Sequence, residues 1–291
     1  MVRKKEIQYF LLFNLAMLCI STSGVLGKKL LLSPFLSIWF RCFFAILFLG
    51  IFCLMKSYSF RLKNGQGLVM IFLSGVLMTA HWVTYFFALK HTSVAISMIA
   101  IFTYPVMTTL LEPLFFKTKL QIRSVVLSCI ILVGVFYLLP DFDIAKGDTK
   151  GLLFALISAL FYSFRNLILK REIVSYNGSV LMFYQALIAV TILSPMLYFF
   201  MPSYDLIMGD LPYLLALGLI TTAVGHTMFL NSFEYFKIST VSIMSSLQPV
   251  FGIVLAMLFL YEFPNWRSLI GGALIIVCVL LESLFAIKSQ A

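Results

Sequence analysis

The sequence predicts an all-α membrane protein of ten transmembrane helices, arranged as two inverted five-helix repeats. Three observations lead there: a composition too apolar for water, ten long apolar runs separated by short charged loops, and a self-match at a shift of 144 residues. Of the 291 residues, 62% are apolar or aromatic and 11% are charged, where soluble domains carry roughly a quarter charged residues. Mean hydropathy is +1.05. A water-soluble globule of this size cannot hide that much apolar surface. The solvent is therefore lipid, which excludes a soluble enzyme, a secreted domain and a nucleic-acid binder.

A helix crosses the ~30 Å hydrocarbon core with ~20 residues. The first run, Ile7–Leu26, follows Arg3, Lys4 and Lys5 as a secretory leader would. Its 20 apolar residues exceed a leader's core and nine more runs follow, so it reads as a permanent helix. Ser33–Met55, Gly67–Leu89 and Thr92–Phe116 come next, then Ser124–Leu139. This fifth run is the shortest, and the stem of Arg123 reaches from its start back to the headgroups. The remaining five are Gly151–Leu169, Gly178–Met201, Leu211–Phe233, Ile238–Tyr261 and Ser268–Ile287. None alternates with period two, so helices are expected rather than barrel strands. Short loops make sequential helices antiparallel.

Charge sets the orientation. With the N-terminus in the cytoplasm, thirteen basic residues, Lys56, Lys117 and Arg171 among them, lie inside, and six, including Lys28, Lys90 and Arg267, lie outside. Basic loops stay cytoplasmic, so both termini are expected there, and the net charge of +10 follows without a nucleic-acid partner. Cys19, Cys42, Cys53, Cys129 and Cys278 all fall inside apolar runs with no CxxC pair, and read as small packing residues.

The shift of 144 residues lays Pro105-Val106 on Pro249-Val250, Leu114-Phe115 on Leu258-Phe259, and Arg123-Ser124 on Arg267-Ser268. His81 and His226 match one residue out of step. The chain divides into residues 1–139, a linker loop at 140–150, and residues 151–291. Five is odd, so the second repeat enters the membrane from the opposite side. Inverted repeats are the layout of secondary transporters, with the site near the midplane between the halves.

In the second half Ser232-Phe233-Glu234-Tyr235 leads through Ile238-Ser239-Thr240-Val241-Ser242 to Ser245-Ser246-Leu247-Gln248-Pro249-Val250, then Leu260-Tyr261-Glu262 and Gly271-Gly272. The first half has Ala88-Leu89-Lys90-His91-Thr92-Ser93, Pro105 and Glu112-Pro113, with Arg41 on the second run. This pattern resembles the drug/metabolite transporter superfamily, in its ten-helix EamA-type branch, over nearly the whole chain. Glu262 follows its Pro by 13 residues and Glu112 by 7, so the repeats are not equivalent there. The resemblance implies an inner-membrane carrier for small polar metabolites, often an exporter of amino acids or derivatives. It also implies that helices one, three, four, six, eight and nine surround a central cavity.

Ionisable side chains inside a membrane face protein or water rather than lipid; here they are Arg41, His81, Glu112, Arg165, His226 and Glu282. His81 and His226 mirror each other about the midplane. They either line one pathway, where a neutral ring donates and accepts, or bond to neighbouring helices. Trp82, Tyr85 and Tyr104 form an aromatic wall for substrate or simple packing. Arg165, beside Asn166, needs an anion or a set of carbonyls, and is either the counter-ion of Glu112 or the holder of a substrate carboxylate. Glu282 snorkels to the cytoplasm. Pro105 and Pro249 each free a backbone carbonyl in mid-span and make hinges or static kinks, with Thr103, Ser245, Ser246 and Gln248 as polar neighbours. Asn14 and Asn231 are further polar positions for the wall.

No Walker A loop and no HExxH occur, so no cofactor, metal or ATP chemistry is expected and the chain reads as a non-enzyme. The expected function is alternating-access transport of a small amphipathic metabolite with an amine or carboxylate. Its energy comes from the substrate's own gradient or from protons exchanged through Glu112 or a histidine. Alternatives are a carrier of lipid- or nucleotide-linked sugars, an intramembrane metal enzyme using His81, His226 and Glu112, and a non-transporting subunit. Oligomeric state has no sequence signal.

Overall fold

The computed structural model describes residues 2–62, 65–116, 122–137, 147–169, 176–200, 202–232, 245 and 247–290. Most of the 140–150 loop, the motif stretch 233–244 with Ser246, and the basic residues Lys63, Lys117, Lys119, Lys170, Arg171 and Lys237 lie outside them, as does the side chain of Glu282. The described chain is helical: α1 Val2–Lys29, α2 Pro34–Met55, α3 Gln66–His91, α4 Val94–Ile101, α5 Tyr104–Phe116, α6 Ile122–Tyr137, α7 Gly147–Leu169, α8 Gly178–Phe200, α9 Tyr204–Ala216, a π-helical turn Leu217–His226, α10 Thr227–Asn231, α11 Leu247–Leu260 and α12 Trp266–Gln290. By length and composition six helices can cross a bilayer, the bent pair Val94–Thr108 and Leu110–Phe116 makes a seventh span, and shorter apolar helices at Val125–Val135, Leu247–Leu260 and Trp266–Leu281 complete a ten-helix membrane protein.

Local chemistry explains the starts and breaks. Ser33 caps α2 by accepting from the Leu36 amide, with Pro34 at the first helical position, where its missing N–H is harmless. Ser93 and Ser203 cap α4 and α9 in the same way. The fourth span breaks at Phe102 and Thr103, just ahead of Pro105, which has no N–H to offer the Ile101 carbonyl. The Thr103 hydroxyl instead closes the turn on Ala100 O at 2.8 Å.

Residues 217–226 wind with π pitch, and the Thr222 hydroxyl bonds back to Leu217 O, five residues earlier, at 2.9 Å. Glycines let this turn press against two helices. A Cβ at Gly218 would sit 2.7 Å from Phe44 Cβ and 3.1 Å from Arg41 O on α2; one at Gly225 would sit 3.1 Å from the Ile20 amide on α1.

The packing has a two-fold pattern. α3 packs on α7, and α1 on the π turn; α2 packs on the π turn, and α3 on α8. α1 packs on α11, and α7 on α4 and α5. Each pair becomes its companion when the first five spans are exchanged with the second five, and the pairs α2·α8, α4·α11 and α6·α12 map onto themselves. The surface is apolar, with Leu54, Leu114, Leu132, Leu258 and Tyr198 outward. Arg41, Arg165, Gln185, His81 and His226 are buried. That inversion of the soluble pattern suits a protein whose outside is lipid.

Candidate functional site

Where the symmetric pairs cross, a cavity of about 610 Å³, its open mouth included, lies among α1, α2, α3, the α4–α5 break, α7, the π turn, α10 and α11. Six of the contributing spans are those implied by the resemblance; the second span adds Arg41. His81 of α3 and Tyr104 of α5 both sit ten residues from helix ends on one face of the membrane, or about 15 Å of helix rise. That depth is close to the midplane.

His81 is held by α7. Its Nδ1 lies 3.1 Å from Ser158 O and 2.8 Å from Ser158 Oγ. The Ser158 hydroxyl has a single proton and spends it on His81 O at 2.8 Å. A carbonyl only accepts, so Nδ1 carries the ring proton and Nε2 remains an acceptor. Tyr162 stacks on the ring at 4.6 Å, and Tyr104 meets Tyr162 edge-on at 4.7 Å. Across the cavity, Trp82 meets His226 edge-on at 5.7 Å.

Arg41 reaches the lining from α2. Its guanidinium lies 4.7 Å from the Trp82 ring centre and 5.9 Å from that of Phe86, and its Nε donates to Thr222 Oγ1 at 2.7 Å. The π turn presents Thr222 and His226 together, four residues apart on one face, Thr222 to Arg41 of α2 and His226 to Trp82 of α3. Arg165 stands behind the wall, 5.7 Å from the Tyr162 ring centre. Its terminal nitrogens donate to Asn166 Oδ1 at 2.9 Å and Gln185 Oε1 at 2.8 Å, and Gln185 Nε2 donates to Ser74 Oγ at 3.0 Å. The 144-residue shift superposes Arg41 on Gln185. Each projects from the second span of one half and bonds the third span of the other, Arg41 to Thr222 and Gln185 to Ser74.

One end of the molecule is tied together by polar groups. Lys28, in the last turn of α1, donates to Leu89 O at 2.8 Å and Thr92 O at 2.6 Å, the end of α3, and lies 3.9 Å from Glu262 Oε1. Glu262, just past α11, accepts from the Val94 amide at 2.9 Å, at the start of α4. A cation thus sits at one helix C-terminus and a carboxylate at one N-terminus, each matched to the local dipole. Lys90 donates to Leu30 O, Asp210 accepts from the Leu31 and Leu32 amides, and Asp148 accepts from Thr92 at 2.5 Å. By the same shift the counterparts of Lys28, Leu89, Lys90, Thr92, Val94 and Glu262 fall in 117–121, 170–175 and 233–244, outside the described residues.

Of the residues expected at the site, His81, Trp82, Tyr85, Tyr104, His226, Gln248 and Pro249 line the cavity. Tyr104 hydrogen-bonds Ser245. Arg165 and Asn166 form the layer behind, where the terminal nitrogens of Arg165 donate to amide oxygens. Glu112 and Pro105 are outside the lining among the described residues. Sequence reasoning missed Ser23, Tyr162, Phe102 and Phe229 as lining residues, and did not connect Arg41 with Trp82. The 144-residue match between Arg41 and Gln185 was the available signal for that second pair.

The model of the EamA-like transporter family matches residues 8–139 and again 149–284. An uncharacterized transporter of Bacillus subtilis, YxxF, is 27% identical over 267 residues, 90% of this chain and 85% of that one. The pseudopaline exporter CntI of Pseudomonas aeruginosa is 24% identical over 235 residues, 80% and 81% of the two chains. One crystal structure superposes with a TM-score of 0.69 at 18% identity, covering 98% of this chain and 99% of the other. At that identity the likeness is one of fold.

Proposed function

The chain belongs to the EamA-like transporter family, and we propose that it is a secondary carrier, working as an exporter, that moves a small polar metabolite by alternating access. The observation that carries this reading is the cavity at mid-depth, built by both halves at the crossing of pairs that exchange under a two-fold operation. A site on such an axis has a conformation opening to one face and a near-equivalent conformation opening to the other. The polar ties around Lys28 and Glu262 fit a state closed at one face. Positive-inside counting puts that face outside the cell and both termini in the cytoplasm of a plasma-membrane protein. The halves that exchange are residues 1–139 and 151–291.

The relative named as a pseudopaline exporter is in keeping with export. Amino acids and their derivatives are the substrate class we propose. Where protons couple the cycle, His81 and His226 carry them, because both face the cavity and Glu112 does not. The test is counterflow in proteoliposomes. A panel of amino acids and related acids, amines and amides is loaded inside, and a labelled member is added outside. Trans-stimulated exchange by at least one member supports the carrier; a panel that neither exchanges nor raises the melting temperature of the purified protein refutes it.

A further inference from the structure

We propose that Arg41 is the anion receptor of the cavity, and that its ligand is a monocarboxylate with an apolar or aromatic body. The proposal rests on the carrier reading and narrows its substrate class to derivatives that keep the carboxylate and carry no free ammonium.

Arg41 is 1% exposed and lines the cavity. Its Nε is spent on Thr222, while both terminal nitrogens are buried with no hydrogen-bond partner. A guanidinium does not discharge in a protein, so this cation is costly until an anion reaches it. Arg165 differs, since both of its terminal nitrogens are bonded to amide oxygens. Gln185 fills the place of Arg41 in the other half, neutral and bonded at both ends of its amide. Among the described residues the two-fold framework therefore carries one fixed charge at the cavity.

The rest of the lining completes the description of the ligand. Among the described residues no Asp or Glu lines the cavity, so an ammonium group finds no ion-pair partner there. The buried Trp82 Nε1 is a further donor without a partner, which makes the orphaned groups mostly donors and the missing partner an acceptor. The planar fork of a guanidinium matches the two oxygens of a carboxylate. A phosphate monoester would bring a second charge with no second cation to meet it. With Arg41 at 4.7 Å from the Trp82 ring, a carboxylate held there carries its body along Trp82 and toward the Tyr104 and Tyr162 rings.

The test uses the full-length protein in detergent, with Trp39→Phe and Trp266→Phe leaving Trp82 as the one tryptophan of three. The probes are 3-cyclohexylpropanoate, its primary amide, 3-cyclohexylpropylamine and cyclohexyl phosphate, none of which absorbs with tryptophan. The acid is expected to change Trp82 fluorescence saturably and to bind about tenfold or more tighter than the amide or amine, the worth of one charge-assisted fork. Arg41→Gln should bring acid and amide to the same affinity, and Arg41→Lys should fall between. The acid-to-amide ratio in the parent decides the matter if Arg41→Gln does not fold. Equal binding of the amide or amine, tighter binding of the phosphate, no binding by any probe, or unchanged acid affinity in a folded Arg41→Gln would overturn the assignment. Counterflow of the amide or amine with no preference for the acid would remove the receptor and leave the carrier standing.

Discussion

Replacing Lys28 with Met tests whether the polar ties hold one face closed. The side chain keeps its apolar stem and loses its charge, two hydrogen bonds to Leu89 O and Thr92 O, and the 3.9 Å approach to Glu262. Both ionic side chains are about a quarter exposed, at 27% and 26%, so the ion pair adds no more than about 0.5 kcal/mol. Charge-assisted bonds to carbonyls contribute about 1.5–3 kcal/mol each when buried. These carbonyls are at a helix end where water replaces part of the loss, so the lower figure for the pair together is appropriate. A bias of about 1.4 kcal/mol is tenfold in the equilibrium; a face open one time in a hundred would open about one time in ten. Leu31 and Phe263, 74% and 71% exposed, flank the ties and accept spin labels without disturbing packing. Pulsed EPR should then show a longer distance component growing about tenfold in Lys28→Met and by a smaller factor in Glu262→Gln, which keeps a hydrogen-bonding oxygen for the Val94 amide. An unchanged distance distribution in both variants would mean that these contacts do not govern the face.

Three further outcomes follow from the packing and the buried network. Gly218→Val forces its Cβ against Phe44 Cβ at 2.7 Å and Arg41 O at 3.1 Å. It should destabilise the protein by about 1–3 kcal/mol, read as a lower melting temperature in detergent, with ligand affinity falling further as α2 and Arg41 are displaced. Arg165→Met strands the acceptors on Asn166 and Gln185 and should cost about 2–3 kcal/mol; an unchanged melt would show that the network is not holding α7 to α8. His81→Ala should flatten the pH profile of counterflow, whereas Glu112→Gln should leave it intact. The reverse result would place the proton path outside the cavity.

Much of the fold is legible because lipid demands long apolar helices and closes off other backbones. The ends were less so. Thr92, expected to open the fourth span, is the C-cap of α3, and Ser93 caps α4 instead. α1 runs on to Lys29 because Lys28 is tied by its own bonds beyond the apolar stretch. The π turn had no compositional signal, since Leu217–His226 suits an α-helix equally well; Gly218, Thr222 and Gly225 reveal their purpose only against α1 and α2.

At the site, the polar and titratable residues were visible because each is expensive in a membrane. Tyr162 and Phe229 were not, because a helix apolar on every side has no amphipathic stripe to tell the cavity face from the lipid face. Lys28 was read only as a charge setting orientation and Glu262 only as part of the family pattern. Their approach joins residues 234 positions apart, a relation no local pattern contains.

The most direct measurement takes Ser23→Cys on a cysteine-free background, in proteoliposomes of uniform orientation, with a membrane-impermeant thiol reagent applied to each face in turn. Ser23 is 4% exposed and faces the cavity. Alternating access predicts modification from either side, with Lys28→Met raising the rate at the latched face and lowering it at the other. Modification from a single side in parent and variant alike, or none from either, would contradict it.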